Sequence, residues 1–282
     1  MVRAAREVFP EELARLAIKS FDVVGDIAVI KVPPELMEGR FRLAEALLRH
    51  LPYVRVVLRQ SSPHEGDFRV RGLEWLAGER RTVTIHREHG CAFKVDLAKA
   101  FFTPRLSYER LRVAREVGPW EVVFNMFAGV GCFSIIIAKL AGAEVYSVDL
   151  NPDAARYMRE NVRLNKVEGL VHVVQGDSRT LGLSSLRGRV DRVLMPLPLK
   201  AYEFLDAAVA SLRGRGVIHY YDVERGRRDE AVSRLWGRVE ARIRGLGAEC
   251  RLLRARVVRE VGPRLLQVAL DVEVLGPCRR SE

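Results

Sequence analysis

The chain has 282 residues, 48% of them hydrophobic, which is enough to bury a core and too many for a disordered polypeptide. Its 47 lysines and arginines against 36 acids give a formal charge of +11, which favours a polyanionic partner. Cys91, Cys132, Cys250 and Cys278 have neither metal-site spacing nor disulfide density, and no run nears the ~20 apolar residues of a membrane span, so a cytoplasmic, metal-free protein is expected.

Residues 1–117 read as a mixed α+β unit. Helical spacing covers 11–20, and short alternating strands follow at 26–32, 54–58 and 82–86, with another at 91–97. Arginine is frequent here, from Arg40 through Arg59, Arg69 and Arg71 to Arg87, but spread over several elements. From residue 118 the pattern alternates apolar strand with amphipathic helix, which requires a largely parallel sheet covered on both faces. Strands are expected at 121–127, 144–149, 170–175, 190–195 and 216–221, with helices at 132–141, 152–164 and 201–212. A long helix at 227–246 precedes strands at 251–259 and 265–274, joined by a Gly262-Pro263 turn into an antiparallel hairpin.

The loop after the first of these parallel strands carries Phe127, Ala128, Gly129 and Gly131 at the start of a helix. Glycine there lets backbone N–H groups approach a ligand at the positive end of the helix dipole. A dinucleotide fingerprint would want a third glycine, and the chain has Ser134 instead. Asp149, followed by Leu150, Asn151 and Pro152, ends the second strand, where its carboxylate suits two ribose hydroxyls. Asp177, followed by Ser178, ends the third, where it suits an adenine amine. A purely structural reading makes Asp149 or Asn151 a helix cap and Asp177 a turn residue. Three such features at successive strand ends favour a bound adenosine compound over that reading.

An open parallel sheet closed by an antiparallel hairpin resembles the class I S-adenosylmethionine-dependent methyltransferase fold: Rossmann-like, α/β and seven-stranded, here preceded by a smaller α+β domain. More specifically, Thr84-Ile85-His86-Arg87-Glu88-His89-Gly90, the segment from Phe102 through Pro104-Arg105-Leu106 to Arg110, the glycine loop, Asp149-Leu150-Asn151-Pro152 and the segment from Asn161 to Glu168 resemble the archaeal and eukaryotic tRNA guanosine-37 N1-methyltransferases and the related wybutosine-pathway transferases.

The resemblance implies methyl transfer from S-adenosylmethionine to guanine N1 in the anticodon loop of tRNA, by a monomer. Residues 1–117 would recognise the RNA and base, and 118–282 would bind the cofactor and catalyse. Glu109 takes the role of general base, and Arg69, with Arg71 as competitor, stabilises charge at O6. The plainer reading makes Glu109 an exposed helix residue paired with Arg112 or Arg105, and Arg69 a phosphate contact or surface charge. Two departures stand out. Asn125 replaces the family's acid at the end of the first strand, and Pro196, in Met195-Pro196-Leu197-Pro198, replaces an asparagine, leaving a carbonyl where a side-chain amide is expected. The alternatives are C7 methylation of a tricyclic guanosine derivative, aminocarboxypropyl transfer, or a non-catalytic RNA-binding module.

Overall fold

In the computed structural model, which describes residues 1–65 and 70–277, the chain divides between Ser107 and Tyr108, ten residues before the division expected at 117/118. The helix Ser107–Glu116 accounts for the difference. Its Arg112 is bonded to Asp271 deep in the second unit, so the helix belongs there. Arg69 lies outside the described residues.

The first unit contains helices α1 (Val2–Val8) and α2 (Glu11–Ala14), strands β1 (Asp22–Val24) and β2 (Ile27–Ile30), helix α3 (Arg40–His50), and strands β3 (Val56–Glu65), β4 (Val70–Gly78), β5 (Val83–Glu88) and β6 (Cys91–Asp96). Strands β1 to β4 form one sheet in that order. The β2–β3 pair is parallel, with α3 as its crossover, and the others are antiparallel. Leu43, Ala44 and Leu47 of α3 share a core with Ile30, Val57 and Leu76. The helix expected over 11–20 is shortened to α2, and beyond Ala14 the bonds tighten to i→i+3, Leu16 N–H to Leu13 (3.0 Å) and Ala17 N–H to Ala14 (3.2 Å). Periodicity alone does not disclose α1, α3, β1 or β4. The β5–β6 hairpin turns on His89 (φ +48°) and Gly90 (φ +73°), the two positive φ values of a type I′ turn.

The second unit contains α4 (Ser107–Glu116), β7 (Val122–Asn125), α5 (Cys132–Ala141), β8 (Glu144–Asp149), α6 (Pro152–Asn165), β9 (Val171–Gln175), α7 (Ser178–Leu183), β10 (Val190–Met195), α8 (Leu205–Ser211), β11 (Leu212–Arg225), α9 (Arg228–Gly245), β12 (Ala248–Gly262) and β13 (Leu265–Pro277). Its seven strands run in the order β12-β13-β11-β10-β7-β8-β9. From β11 to β9 all neighbours are parallel, while β13 is inserted antiparallel between β12 and β11. That is the expected sheet. Residues 201–212 break into a 3-10 turn and α8. The final hairpin turns one residue later than expected, since Gly262 pairs with Leu265 and leaves Pro263 and Arg264 (φ +54°) as the turn. Proline presets φ at the first central position, and a type II turn requires a positive φ at the second.

Candidate active site

Strands β10, β7, β8 and β9 lie side by side and all point their carboxyl ends to one edge, so the loops after Met195, Asn125, Asp149 and Gln175 are neighbours. Outside such an edge is where open α/β sheets place ligands. The loop after β7 is built tightly. The Ala128 N–H donates to Val148 O (2.9 Å) and the Gly129 N–H to Asp149 Oδ2 (2.6 Å). Gly131 precedes α5 at φ +92°, and a Cβ there would stand 2.9 Å from Met158 Cγ. The ring of Phe127 meets that of Phe204 edge-on at 5.0 Å.

Asp149 accepts from two backbone N–H groups, Gly129 on Oδ2 and Asn151 on Oδ1 (2.9 Å). Burial pushes its carboxyl above the usual range, and these two bonds oppose the shift. Helix α6 is capped by Asn151, whose Oδ1 accepts from the Asp153 N–H (3.0 Å), and α7 by Asp177, which accepts from the Arg179 N–H (2.9 Å). The side chains of Asn151 and Asp177 thus do the capping that the structural reading expects. Asp177 is exposed, Ser178 is buried, and Leu150 is 53% exposed at the end of β8.

Asn125 is fully buried. Its Nδ2 donates to Ser134 Oγ (3.0 Å), so the residue in place of a third glycine holds the residue in place of the acid, while Asn125 Oδ1 has no hydrogen-bond partner among the described residues. Two residues given no role by the sequence reading hold the loops. Asn161 Nδ2 donates to Val130 O (3.0 Å), pinning the glycine loop to α6. Asp222, buried on β11, accepts from the Leu199 N–H (2.7 Å) and from Tyr220 Oη (2.7 Å), which fixes the loop containing Pro196 where Leu199 takes φ +75°. The spacing of Asn161 within an amphipathic helix was a readable signal; Asp222 had none. Replacing Asn161 by alanine leaves a buried carbonyl unsatisfied, with an expected loss of about 1–3 kcal/mol in denaturant unfolding. Weaker S-adenosylmethionine binding in calorimetry should accompany it, and an unchanged affinity would show that the bond supports only the fold.

Glu109 is 1% exposed, not the exposed helix residue of the plainer reading, although it does pair with Arg112. Its Oε2 accepts from Arg112 Nε (3.1 Å) and Tyr221 Oη (3.3 Å). Burial, and then the Glu109 charge, push the Tyr221 phenol well above its usual range, so it stays protonated and donates. Arg256 Nη1 lies 2.9 Å from Oε1 as an ion pair, yet its geometry is not that of a hydrogen bond, and Oε1 accepts none among the described residues. The Tyr221 ring stands 6.1 Å from that of Phe133, two residues after Gly131, which links Glu109 to the glycine loop through two rings.

Behind Glu109 runs a buried ionic chain. Arg112 grips Asp271 with two bonds (2.6 and 3.0 Å), Asp271 Oδ1 meets His219 Nδ1 (2.6 Å), and Arg192 Nη1 donates to His219 Nε2 (2.7 Å). A guanidinium can only donate, so Nε2 is an acceptor and His219 is the neutral Nδ1–H tautomer. Burial lowers the pKa of His219 in agreement. Burial alone would raise Asp271, but the His219 and Arg112 bonds more than reverse that and hold it below the usual carboxylate range. Glu116, His219 and Asp271 are close enough to share a metal ion, but Arg112 Nη1 sits between them, 3.1 Å from Glu116 and 2.6 Å from Asp271, and supplies the positive charge itself.

This chain makes stability depend on pH. Because the native His219 pKa is depressed, stability is full above the unfolded value of about 6.5 and declines as the unfolded chain takes up a proton the native state refuses. The depressed Asp271 adds a further loss below about pH 4. Urea unfolding across pH should show both, with the upper step weakened in His219→Gln. A flat profile between about pH 7 and 5 would contradict it.

A glycine turn over a carboxylate that already holds two N–H groups, on a sheet whose last strand is inserted antiparallel, is the arrangement of a class I S-adenosylmethionine-dependent transferase. Residues 84–245 match the TRM5/TYW2 methyltransferase domain, and residues 2–82 match the TYW2 N-terminal domain. The chain belongs to the TRM5/TYW2 family, S-adenosylmethionine-dependent enzymes that modify guanosine 37 of tRNA.

It is 40% identical over 265 residues to Trm5b of Pyrococcus abyssi, a tRNA (guanine(37)-N(1))-methyltransferase, covering 94% of this chain and 78% of that protein. It is 35% identical over 260 residues to Taw21 of Saccharolobus solfataricus, a tRNA 4-demethylwyosine(37)-methyltransferase, covering 90% and 94%. Among solved structures it is similar to aTrm5 in complex with tRNALeu (36% identity, TM-score 0.81, 94% and 74% covered). Another is TYW2 of Pyrococcus horikoshii in complex with MeSAdo (30% identity, TM-score 0.81, 97% and 99% covered).

The residues present fit the cofactor. Each Asp149 oxygen accepts one backbone N–H and keeps a second lone pair for a ribose hydroxyl.

Proposed function

We propose that the protein methylates N1 of guanosine 37 in tRNA, with Glu109 as the general base. The observation that carries this reading is Glu109 itself: a buried carboxylate whose Oε2 is fixed by Tyr221 and Arg112, whose Oε1 faces Arg256 as an ion pair but accepts no hydrogen bond among the described residues, and which has a two-ring link to the glycine loop. N1 of guanine carries a proton and is a poor nucleophile until it loses it. Glu109 Oε1 takes that proton, and Arg69 answers the charge that then spreads onto O6. Bound S-adenosylmethionine supplies an electrophilic methyl carbon on its sulfonium. The chain holds it through the backbone from Phe127 and Ala128 to Gly131, through Asp149 at the ribose, through Leu150, Asn151, Asp177 and Ser178 around the adenine, and through the Pro196 carbonyl. The two N-terminal helices and sheet of the first unit, with its many arginines, recognise the RNA.

One observation favours a second reading, C7 methylation of a tricyclic guanosine derivative or aminocarboxypropyl transfer to it. Pro196 offers no side-chain amide to grip a guanine edge, and its loop is fixed in that state by Asp222. A proton leaving C7 needs a base as much as one leaving N1, so Glu109 serves both. The deciding experiment incubates the protein with S-adenosylmethionine and tRNA carrying unmodified G37, then identifies the nucleosides by mass. New 1-methylguanosine supports the first reading. Its absence, with a methyl or aminocarboxypropyl group added to a tricyclic precursor, overturns that reading in favour of the second. Binding of tRNA without any product favours a non-catalytic RNA-binding module.

A further inference from the structure

The parallel strands end at Met195, opposite Tyr220 of β11, but β11 continues through Tyr221 to Arg225, where it pairs with Leu265. The ribbon of β11, β13 and β12 therefore overhangs the ligand edge of the sheet by five residues, or about 16 Å at ~3.3 Å per residue. At its tip lies an open cavity of about 710 Å³ lined by Arg227 and Arg228 at the start of α9, Arg259 of β12 and Arg264 of the turn. The tip differs in charge balance from the rest of the ribbon. Along β12, Arg251 is paired with Glu273, Arg254 with Glu116 (2.7 Å) and Arg256 with Glu109 (2.9 Å). The exposed side chains of Arg227, Arg228 and Arg264 have no ion pair or hydrogen bond among the described residues. The one acid lining the cavity, Glu260, accepts the Arg264 N–H (3.1 Å) and is engaged in closing the turn.

Unpaired guanidinium groups around an opening match the shape and charge of phosphate, which they bind in a fork. We propose that this hairpin tip is an RNA-backbone surface, where Arg227, Arg228 and Arg264 take phosphates of the substrate flanking the modified nucleoside. It rests on tRNA being the substrate. A base entering beside Glu109 and Tyr221 brings its own strand past the tip, four residues farther along β11.

The test measures binding of an unmodified tRNA transcript across a salt series for the wild type, R227A/R228A/R264A, the corresponding triple lysine variant, and Arg251→Ala as a paired-arginine control. Each phosphate contact adds about 0.7–0.9 to the slope of log K against log salt, so the triple alanine variant should lose about 2–3 and bind at least about tenfold more weakly. The lysine variant and Arg251→Ala should keep the slope, and all should bind S-adenosylmethionine alike. A wild-type slope in the triple alanine variant, with the wild type still binding and modifying tRNA, overturns this inference alone. Failure of the wild type to bind tRNA removes the substrate reading and this inference with it.

Discussion

Glu109→Gln is expected to slow single-turnover modification of tRNA by about 100- to 10,000-fold, the usual contribution of a positioned general base. Glutamine keeps the size of the side chain and an oxygen for Tyr221, but it has no charge and cannot take the N1 proton. Binding of S-adenosylmethionine should be unchanged, because the hydrogen bonds seen to hold Asp149 and the glycine loop among the described residues come from Gly129, Asn151 and Asn161. The readout that separates catalysis from architecture is the pairing of a large loss in rate with unaltered tRNA and cofactor affinity. A rate within about threefold of the wild type would remove Glu109 from the role of base, and the proton would need another acceptor.

Arg112→Ala is expected to have the largest effect on stability, about 3–5 kcal/mol. The Arg112 guanidinium is the only donor seen to bridge Glu109, Glu116 and Asp271 among the described residues, and two of those three carboxylates are buried. Removing it takes the guanidinium from the buried Glu109 and Asp271 carboxylates in low dielectric, and the penalty is larger than the value of the intact pair. At roughly 2–4 °C per kcal/mol for a chain of this size, the melting temperature should fall by about 10 °C. Asp271→Asn in the Arg112→Ala background should recover part of that loss, since it removes one stranded charge. A melting temperature within about 2 °C of the wild type would mean that water reaches and solvates the chain of ions.

The parallel sheet, its carboxyl edge, the glycine turn, the acid at Asp149 and the closing hairpin were legible in the residues because each is a local signal. Strand and helix periods span a few residues, and a glycine at a strand-to-helix turn needs no distant partner to be recognised. The same locality explains where reading failed. Helix α3 hides its apolar stripe among arginines, and β4 becomes a strand through its pairing with β3. The hairpin turn shifted by one residue because pairing of Gly262 with Leu265, not the Gly-Pro dipeptide, sets the register.

Local residue patterns therefore carried the fold class, the carboxyl edge of the sheet and a candidate base. What surrounds them is set by contacts between residues far apart in the chain. Tyr221 lies 112 residues from Glu109, and Asp271 lies 159 from Arg112. Whether Glu109 is a solvated surface charge or a buried carboxylate held by Tyr221, Arg112 and Arg256 depends on such distant partners. So does the charge at the hairpin tip, because an arginine is recognisable in the sequence but its pairing is set by which acids the folded chain brings within reach.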